Sequence, residues 1–422
     1  MDNPGLLRKS ARLAVTGTGL FTAAYFLVAS GLLRRWLRDE AECPGPLEGR
    51  ISESCKPQGE RASRPFRDRA PQQHQCRTRA GRPCPLEDPS NGNQRCGPLE
   101  PVTFFRPIKS CEPGLARHLE VFLAGVEPGD RILLGASGEA ERELCARLAR
   151  KFPHLDIQCP PIAAGLCGNP KIGKLVQLAP LATHDRWIVL DSDAIADRRF
   201  LRAFRAEWQE SAAAAFSAPY VFEDGASLPA RLDSAGTELA LWPGMAVLRA
   251  TGRVDFLTGA CMAVKGAVLN RLGGWAILSD ALADDHELGL AVSRSGEQVG
   301  ISRCGLTLAV PALSTRGWLL HQHRAFVTFR LCNPAGSLGL PLTFGLAFSF
   351  LFALAKPWSL RRWFLHFALL ACRRTAADAL PGRRTLPAVW ISGLVEPAFW
   401  LLAWLPLPVR WAGRWVAPRR TH

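Results

Sequence analysis

The chain has 422 residues, enough for one large domain or two, and its 48% hydrophobic and 21% charged residues fit a globular body with membrane segments. Its formal net charge of +15 admits nucleic acid, an anionic bilayer surface or a phosphorylated ligand as a partner. The basic residues border apolar stretches and do not interleave with aromatic residues in one module. This pattern argues against nucleic acid, and we expect a lipid bilayer as the partner.

An uncharged apolar stretch lies near the N-terminus, at residues 13–33, between clusters of basic residues at 8–12 and 34–38. About 20 apolar residues cross a bilayer as a helix. A cleaved signal peptide is the alternative, but its apolar region is usually shorter and a small-residue cleavage site should follow, whereas Arg34 and Arg35 follow here. We therefore predict a membrane anchor over residues 1–38.

Residues 39–100 are rich in Pro, Gly, Arg, Ser and Gln and show neither helical nor strand periodicity. Such a segment buries too little apolar area to offset its ordering entropy, so we predict a disordered linker. The chain has 13 cysteines but no Cys-x-x-Cys pair, which argues against zinc sites of the usual spacing. We interpret the cysteines outside the linker as small core residues in a reducing compartment, with a redox role as the alternative.

From residue 102 onward, apolar strands alternate with amphipathic helices. The predicted strands begin at 102 and lie at 131–135, around 155–157, and at 187–190, 214–221, 256–264 and 298–302. The predicted helices begin near 115, pass through 144 and 148, and run from 285 to 295. This alternation indicates right-handed βαβ units, and hence an α/β fold with a mostly parallel sheet.

The acidic triplet Asp191-Ser192-Asp193 directly follows the apolar run at 187–190. An α/β sheet binds ligands at the carboxyl ends of its strands, and two carboxylates there can hold Mg²⁺ or Mn²⁺, which neutralises a diphosphate. A solvated surface turn is the alternative, because Asp-x-Asp is common by chance. The triplet favours nucleotide-sugar chemistry, with Asp193 coordinating the metal and Asp191 contacting the ribose or the metal's water shell.

Several further motifs follow in a fixed order along the chain. They are Pro101-Val102-Thr103-Phe104-Phe105-Arg106-Pro107-Ile108-Lys109, Asn169-Pro170-Lys171-Ile172, Leu257-Thr258-Gly259-Ala260-Cys261-Met262-Ala263-Val264, Gly273-Gly274-Trp275 and Ala283-Asp284-Asp285-His286-Glu287-Leu288-Gly289. Together with the acidic triplet, they resemble the ceramide glucosyltransferase family over about residues 101–336, and residues 409–414 extend the similarity. Bacterial members of that family include enzymes that glycosylate hopanoid lipids, and the motifs fit either acceptor. The resemblance implies a GT-A-like nucleotide-diphospho-sugar transferase domain.

The resemblance also implies roles for two residues at the reaction centre. Asp285 falls on the family's Asp-aromatic-x-Leu-Gly pattern, in which the acid is the base that deprotonates the acceptor hydroxyl. A helix N-terminal cap is the alternative role for this acid. Arg324 matches the arginine that helps to hold the departing diphosphate, although Ala325 stands where the family has Trp. A basic patch at the membrane interface is the alternative for this region.

Three residues are expected on the donor side. Lys171 resembles the family's lysine near the donor, and Lys109 lies where the first strand ends. We expect both to contact donor phosphate or sugar, although a lone loop lysine is usually solvent-exposed. Glu141 is the nearest equivalent of an aspartate that relatives carry near the uracil, so the identity of the donor stays open.

After residue 330 the composition changes again. Residues 331–355 carry no charge and residues 386–407 carry only Glu396, so both are candidate spans. Prolines interrupt them, which makes a re-entrant or interfacial hairpin the alternative. The stretch between Trp358 and Arg374 indicates a helix in the membrane interface. We thus predict an anchor at 1–38, a linker at 39–100, a GT-A-like domain at 101–336 and membrane or interfacial helices at 337–422.

The sequence as a whole predicts an inverting transferase with a cytoplasmic catalytic domain, anchored by several segments in the inner or plasma membrane. It would move one sugar from a UDP-sugar to the hydroxyl of a membrane lipid, with Mg²⁺ or Mn²⁺ as cofactor. A processive polysaccharide synthase shares the acidic motifs but normally needs more membrane helices for an export channel. A catalytically inactive relative that binds lipid or nucleotide is the other alternative, because Glu141 and Ala325 depart from the family pattern.

Overall fold

The computed structural model describes residues 4–41, 98–110, 114–252, 254–310, 313–411 and 414–417. The N-terminal helix and the described residues from Glu100 onward belong to one compact unit. Residues 42–97, which make up most of the predicted linker, lie outside the described residues, and the predicted domain boundaries therefore stay a prediction.

The described strands and helices alternate through the first two thirds of this unit. The strands are β1 (Thr103–Pro107), β2 (Arg131–Gly135), β3 (Asp156–Gln158), β4 (Arg186–Leu190), β5 (Ala194–Ile195), β6 (Ala215–Ser217), β7 (Tyr220–Phe222), β8 (Cys261–Lys265), β9 (Val299–Ile301), β10 (Leu306–Leu308), β11 (Val409–Trp411) and β12 (Arg414–Val416).

The α-helices are α1 (Pro4–Ala41), α2 (Leu115–Gly125), α3 (Glu139–Lys151), α4 (Pro170–Leu178), α5 (Arg198–Glu210), α6 (Leu228–Ala250), α7 (Gly266–Arg271), α8 (Asp284–Arg294), α9 (Thr315–Cys332), α10 (Pro334–Gly339), α11 (Gly345–Leu354), α12 (Leu360–Ala379) and α13 (Leu386–Ala403). Short 3₁₀ helices occupy Ala179–Leu181, Gly274–Leu278 and Leu340–Thr343.

The main sheet has the strand order β3-β2-β1-β4-β8-β6-β9. Neighbouring strands run parallel except β8, which is antiparallel to both β4 and β6. Phe105 of β1 lies opposite Leu133 of β2 and Val189 of β4, so these strands end at the same edge of the sheet. The predicted α/β fold with a mostly parallel sheet is confirmed.

The alternation of side chains along each strand builds two cores, one on each face of the sheet. On β1, Phe104 packs into a core with α2, α3 and α5, while Phe105 packs into a second core with α4, α7 and α8. Both rings are fully buried. The sheet is therefore covered by helices on both sides, which leaves the carboxyl edge of its strands as the place where a ligand can approach.

Two predicted strands differ from the structure for local reasons. The strand predicted at 214–221 is divided into β6 and β7, because Pro219 lacks an N–H group and cannot donate to a sheet ladder. The strand predicted at 256–264 begins only at Cys261. Before that point the Thr258 N–H donates to Ser217 Oγ (3.0 Å) and its hydroxyl donates to the Ala218 carbonyl (2.6 Å), so this residue leaves the strand pattern.

A second, three-stranded sheet of order β5-β10-β7 was not predicted. It pairs Leu308 of β10 with Ala194, the residue that directly follows the acidic triplet, and Leu306 of β10 with Tyr220 of β7. The long helix α6 was also not predicted, since Pro243 lies inside it. The second sheet and α6 both carry residues of the candidate site.

The remaining helices form a third apolar layer in which α1 packs against α6, α11 and α12. Two described helices are long and apolar enough to cross a membrane, at Leu13–Leu37 and Leu386–Ala403. Residues 331–355 were predicted as a span, with a re-entrant or interfacial hairpin as the alternative. The structure has a bend of 40° between Pro334–Thr343 and Gly345–Leu354, so this segment is either a broken span or a re-entrant loop. The predicted interfacial stretch forms α12.

Candidate active site

The acidic triplet lies at the carboxyl edge of the sheet, as predicted. The Asp191 N–H donates to the Ala260 carbonyl (3.0 Å), and the Asp193 carbonyl accepts from the Ala309 N–H (2.9 Å). The backbone of this turn is thus held between β8 and the second sheet, while both carboxyl side chains are half-buried. The turn is therefore fixed by backbone hydrogen bonds that do not use the carboxylate oxygens.

Lys171 brings the acidic triplet together with the acids of α8. Its ammonium Nζ lies 2.8 Å from Asp191 Oδ1 and 3.1 Å from Asp284 Oδ2, and it donates to the Gly259 carbonyl at 3.1 Å. Burial alone would lower the pKa of this ammonium, but Asp191 and Asp284 together raise the pKa above its usual value. Lys171 is therefore a fixed positive charge within the acidic cluster.

Asn169 sets the position of this lysine. Its Oδ1 accepts from the Lys171 N–H (2.9 Å) and the Ile172 N–H (3.3 Å), and its Nδ2 donates to the Ala281 carbonyl (3.0 Å). The stretch predicted as a loop is consequently the N-cap and first turn of α4, with Pro170 at the first helical position. Asn169 thereby joins the start of α4 to the segment that leads into α8.

Asp285 lies in the first turn of α8, where its Oδ1 accepts from the His286 N–H at 2.9 Å. Two glycines allow its approach to the sheet. A Cβ atom on Gly259 would lie 3.1 Å from Asp285 Oδ2, and a Cβ atom on Gly289 would lie 2.6 Å from Phe256 Cα. Helix α8 thus packs directly on the backbone that precedes β8, and this contact brings Asp285 against the Lys171 and Asp191 pair.

The surroundings of Asp285 change its acidity. Burial and the neighbouring charge of Asp284 raise its pKa to about 6, although Lys171 acts in the opposite direction. A carboxyl group with a pKa close to neutral can take up a proton during a reaction and release it afterwards, which suits a general base. An ordinary helix cap needs no such shift.

Arg106 lies beneath the acidic triplet and is fully buried. Its guanidinium donates from Nη1 (3.3 Å) and Nη2 (3.2 Å) to the Ala194 carbonyl, and it lies 5.0 Å from the centre of the Phe122 ring. Burial lowers its pKa to about 10, whereas the charges of Asp193 and Asp191 oppose that change. Arg106 thus places a positive charge under the two carboxylates.

Tyr220 of β7 faces the same cluster. Burial raises the pKa of its phenol, and the charges of Asp285, Asp193 and Asp191 raise the pKa further. Helix α6 holds the strand in place, because Trp242 Nε1 donates to the Tyr220 carbonyl at 2.8 Å. The phenol is therefore a group on which both the acidic triplet and Asp285 act electrostatically.

Arg324 lies on α9, and burial lowers its pKa, while Asp233 and Tyr220 oppose that change. Asp233 also binds the preceding turn of α9, because its Oδ1 accepts from Gln322 Nε2 at 2.9 Å and lies 2.8 Å from His321 Nδ1. Arg324 and Tyr220 thus lie close enough to influence each other electrostatically.

The last two predicted residues, Lys109 and Glu141, lie beyond the carboxyl ends of β1 and β2 at the same edge of the sheet. Lys109 is exposed, two residues beyond the end of β1. Glu141 lies in the first turn of α3, where its carboxylate occupies the space next to Gly138 and acts electrostatically on Lys174. The structure brings Lys171, Asp191 and Asp285 together, and Asp193, Asp285 and Arg324 all act electrostatically on Tyr220.

The donor atoms present suit a metal ion that binds together with a phosphate. The described residues contain no group of three or more His, Cys, Asp or Glu side chains that could hold a metal ion unaided. Asp191 and Asp193 offer hard carboxylate oxygens, one of which Lys171 already contacts. Mg²⁺ and Mn²⁺ are commonly bound through one or two carboxylates, with water and substrate phosphates completing the shell. The set fits such an ion.

A family model described as glycosyl transferase family 21 matches residues 73–419, which is well over half of the chain. The chain belongs to glycosyl transferase family 21. Among solved structures, it is similar to the mannosyltransferase PcManGT from Pyrobaculum calidifontis in complex with GDP-Man and Mn2+. That similarity has 15% sequence identity, covers 73% of this chain and 89% of that chain, and has a TM-score of 0.45.

Membership in family 21, the ceramide glucosyltransferase-like family, confirms the resemblance found in the sequence, and the protein is a glycosyltransferase with a GT-A-like α/β domain. The roles of individual residues in this family 21 protein stay predictions. Three residues, Arg106, Tyr220 and Asp233, were not singled out from the sequence as site residues, and a fourth, Asp284, was considered only as an alternative base.

Some of these four carried a usable signal. Arg106 is the basic residue inside an otherwise apolar first strand, and Asp284 is an acid next to Asp285. Tyr220 is one of only two tyrosines in the chain, yet the phenol's position depends on the second sheet. Asp233 lies within a helix that the sequence did not predict, so no local pattern pointed to it.

Proposed function

We propose that this family 21 glycosyltransferase is an inverting enzyme that moves one sugar from a nucleotide-diphosphate sugar, expected to be a UDP-sugar, to the hydroxyl of a membrane lipid. The observation that carries the proposal is the position of Asp285. This acid has a raised pKa of about 6 and lies in one cluster with Lys171, Asp191 and Asp193 at the carboxyl edge of the sheet. A base and a diphosphate site are thus adjacent.

The donor side of the reaction needs positive charge for the departing diphosphate. We assign Asp193, with Asp191, to hold a divalent cation, Mg²⁺ or Mn²⁺, which would supply charge neutralisation when bound. We propose that Lys171 and Arg324 are the cations of the chain that face the diphosphate. Lys171 is held by its ion pair with Asp191, and the charge of Asp233 favours the charged form of Arg324. Charge fixed in advance stabilises a developing anion without reorganisation during the reaction.

The acceptor side needs a base. We propose that Asp285 removes the proton from the acceptor hydroxyl while that oxygen forms a bond to the anomeric carbon and the bond from this carbon to the diphosphate oxygen breaks. In this single displacement the acceptor oxygen enters opposite the departing diphosphate, so the anomeric configuration is inverted. The Asp285 proton then passes to solvent, which its pKa near neutrality permits.

The position of the site relative to the apolar helices supports a lipid acceptor. Trp36, at the end of the candidate span Leu13–Leu37, packs against Trp242 of α6 with ring centres 5.3 Å apart. The same Trp242 bonds to Tyr220 at the site. A short path of packed side chains therefore joins the end of a candidate membrane helix to the reaction centre.

Exposed apolar surface on these helices supports a bilayer as their solvent. The most exposed large apolar side chains include Leu13, Leu20, Trp358, Leu360 and Phe364, all of them at least 69% exposed. An apolar groove between α1 and α11 is lined by Ala14, Val15, Thr18, Phe348, Leu351 and Phe352. In water such surface is unfavourable, whereas lipid chains cover it at no cost. We propose a multi-pass membrane protein with its catalytic domain in the cytoplasm.

The test is sugar transfer by the purified protein in nanodiscs that contain a membrane lipid extract, with UDP-glucose, UDP-galactose, UDP-N-acetylglucosamine and GDP-mannose as donors and Mg²⁺ or Mn²⁺ present. We expect nucleoside diphosphate release, one labelled glycolipid with a single added sugar, and an inverted anomeric configuration by NMR. Asp285→Asn is the negative control. A product with retained configuration would contradict the displacement that we propose.

Two other outcomes would replace the proposal. A long sugar polymer would indicate a processive synthase. Such a synthase normally needs more membrane helices for an export channel than the two candidate spans, or three with the bent pair, found among the described residues. Nucleotide binding without release of diphosphate from any donor would indicate an inactive relative.

A further inference from the structure

Asp233 is a buried acid whose described partners all lie on α9. Its side chain is 8% exposed, and its Oδ1 accepts from Gln322 Nε2 (2.9 Å) and pairs with His321 Nδ1 (2.8 Å). Gln322 Nε2 also donates to Thr237 Oγ1 at 3.2 Å, one turn further along α6. Helix α6 thus binds α9 at His321 and Gln322, within one helical turn of Arg324.

Besides its direct partners His321 and Gln322, Asp233 acts electrostatically on Arg324. A buried carboxylate is costly unless it is hydrogen-bonded and compensated by a cation. Gln322 is neutral, and the arginine on which Asp233 acts is Arg324, whose positive form it favours against the effect of burial. Arg324 follows His321 by three residues, so both project from neighbouring turns of one helix face. Asp233 therefore anchors this face of α9 through His321 and Gln322 and favours the charged form of the guanidinium on the same face.

We infer that Asp233 is a positioning residue for Arg324: by holding His321 and Gln322 and by balancing the guanidinium charge, it aims Arg324 at the diphosphate of the donor. The inference rests on the proposed role of Arg324 at the diphosphate. Asp233 itself touches no substrate, and its effect passes through α9. A fixed guanidinium binds a diphosphate more tightly than a mobile one, because the entropy of ordering it is already lost in the free protein.

The test is a double-mutant cycle with Asp233→Asn, Asp233→Ala, Arg324→Ala and the combination of Asp233→Ala with Arg324→Ala. Asparagine keeps the acceptor oxygen for His321 and Gln322 but removes the charge, whereas alanine removes both. Calorimetry measures the dissociation constants of UDP and of GDP, each with Mn²⁺, and needs neither acceptor nor turnover. Donor KM, acceptor KM and the thermal midpoint complete the measurements. Thr237→Val is the matched control, since it removes only the second partner of Gln322.

We expect Asp233→Ala to weaken binding of the preferred nucleotide about tenfold, with Asp233→Asn between it and the native protein. Donor KM should rise in parallel while acceptor KM stays constant. Thr237→Val should change the nucleotide dissociation constant and the donor KM by less than about twofold each. In the Arg324→Ala background, Asp233→Ala should have no further effect, because the residue through which it acts is gone. If the Asp233→Ala variant does not fold, the nucleotide affinity of Asp233→Asn still tests the inference.

Two results would overturn the inference. One is native nucleotide affinity in both Asp233 variants. The other is an equal loss of affinity on Asp233→Ala with and without Arg324, which would show that Asp233 supports the fold and not the arginine. Absence of sugar transfer by the native protein would contradict the proposed function alone, since nucleotide binding is measured independently of transfer.

Discussion

Lys171 and Asp191 form an ion pair, with 2.8 Å between Nζ and Oδ1, that joins the first turn of α4 to the turn after β4. The same ammonium contacts Asp284, 3.1 Å away at the start of α8. One lysine therefore links three segments that are far apart in the chain. Asp193 follows Asp191 by two residues and Asp285 directly follows Asp284, so this lysine connects the segments that carry the two proposed roles, donor binding and acceptor activation.

The first prediction concerns Asp193. Asp193→Ala should abolish sugar transfer and remove the stimulation of nucleotide binding by Mn²⁺, because it deletes the carboxylate assigned to the metal. The fold should persist, since a half-buried acid at a strand end adds little to stability. Calorimetric titration of nucleotide with and without Mn²⁺, together with thermal unfolding, measures both effects.

Asp156→Asn is the matched control for that experiment, because Asp156 pairs with Arg131 at the opposite edge of the sheet and is 48% exposed. Full activity of the Asp193 variant would show that the metal assignment is wrong.

The second prediction concerns Asp285. Asp285→Asn should lower turnover by about 10²- to 10⁴-fold, the usual contribution of a general base, while nucleotide-sugar and metal affinity stay near native values. The amide retains an oxygen that accepts from the His286 N–H, so a mere helix cap would lose about 1 kcal/mol or less. Single-turnover transfer to extracted lipid gives the rate, and calorimetry gives the affinity.

Should turnover fall by less than about tenfold, Asp285 is a cap, and Asp284 and Glu287 become the next candidates for the base.

The third prediction concerns pH. Because Asp285 acts only when deprotonated and its pKa is about 6, turnover should fall about tenfold per pH unit below pH 6 and level off above it. The same shift affects stability. An unfolded Asp has a pKa near 3.9, so the folded state binds more protons between about pH 4 and 6, and the contribution of this group to stability is lost as pH rises through 6.

Turnover and the thermal midpoint should be measured from about pH 4.5 to 8 in the native protein and in Asp285→Asn. The difference in thermal midpoint between the two proteins should change across this range in the direction given above. A native acidic limb centred near pH 4 would contradict the raised pKa.

The fourth prediction concerns Gly289. A Cβ atom at this position would lie 2.6 Å from Phe256 Cα, which is backbone and cannot move aside cheaply. Gly289→Ala should therefore push α8 away from the sheet, lower stability by about 1–3 kcal/mol and reduce turnover through displacement of Asp285. Gly339→Ala is the matched control, because it is also helical and meets no atom within 4 Å. Chemical denaturation and transfer assays measure the two effects, and equal behaviour of both variants would refute the tight contact.

The sequence by itself determined the parts of this protein that depend on local order. Short continuous apolar runs predicted β1, β2 and β4, and an acidic triplet after the third of these predicted which residues lie at the ligand edge. The apolar stretch at 13–33 predicted, from hydrophobicity alone, the helix that contains the candidate span Leu13–Leu37. These properties do not depend on the rest of the fold. The residues after a strand lie at the edge of the sheet, and a run of about 20 apolar residues must be covered by lipid or by a protein core.

Only the tertiary structure decided which of these residues meet. Three contacts join segments that are far apart in the sequence, and no local pattern predicts them. They are the contact of Lys171 with Asp191 and Asp284, the packing of α8 at Gly289, and the hydrogen bonds of Asp233 to α9. The antiparallel direction of β8 and the second sheet that carries Tyr220 were likewise absent from the local pattern. Such pairings are selected by the free energy of packing the whole core, which no single segment contains.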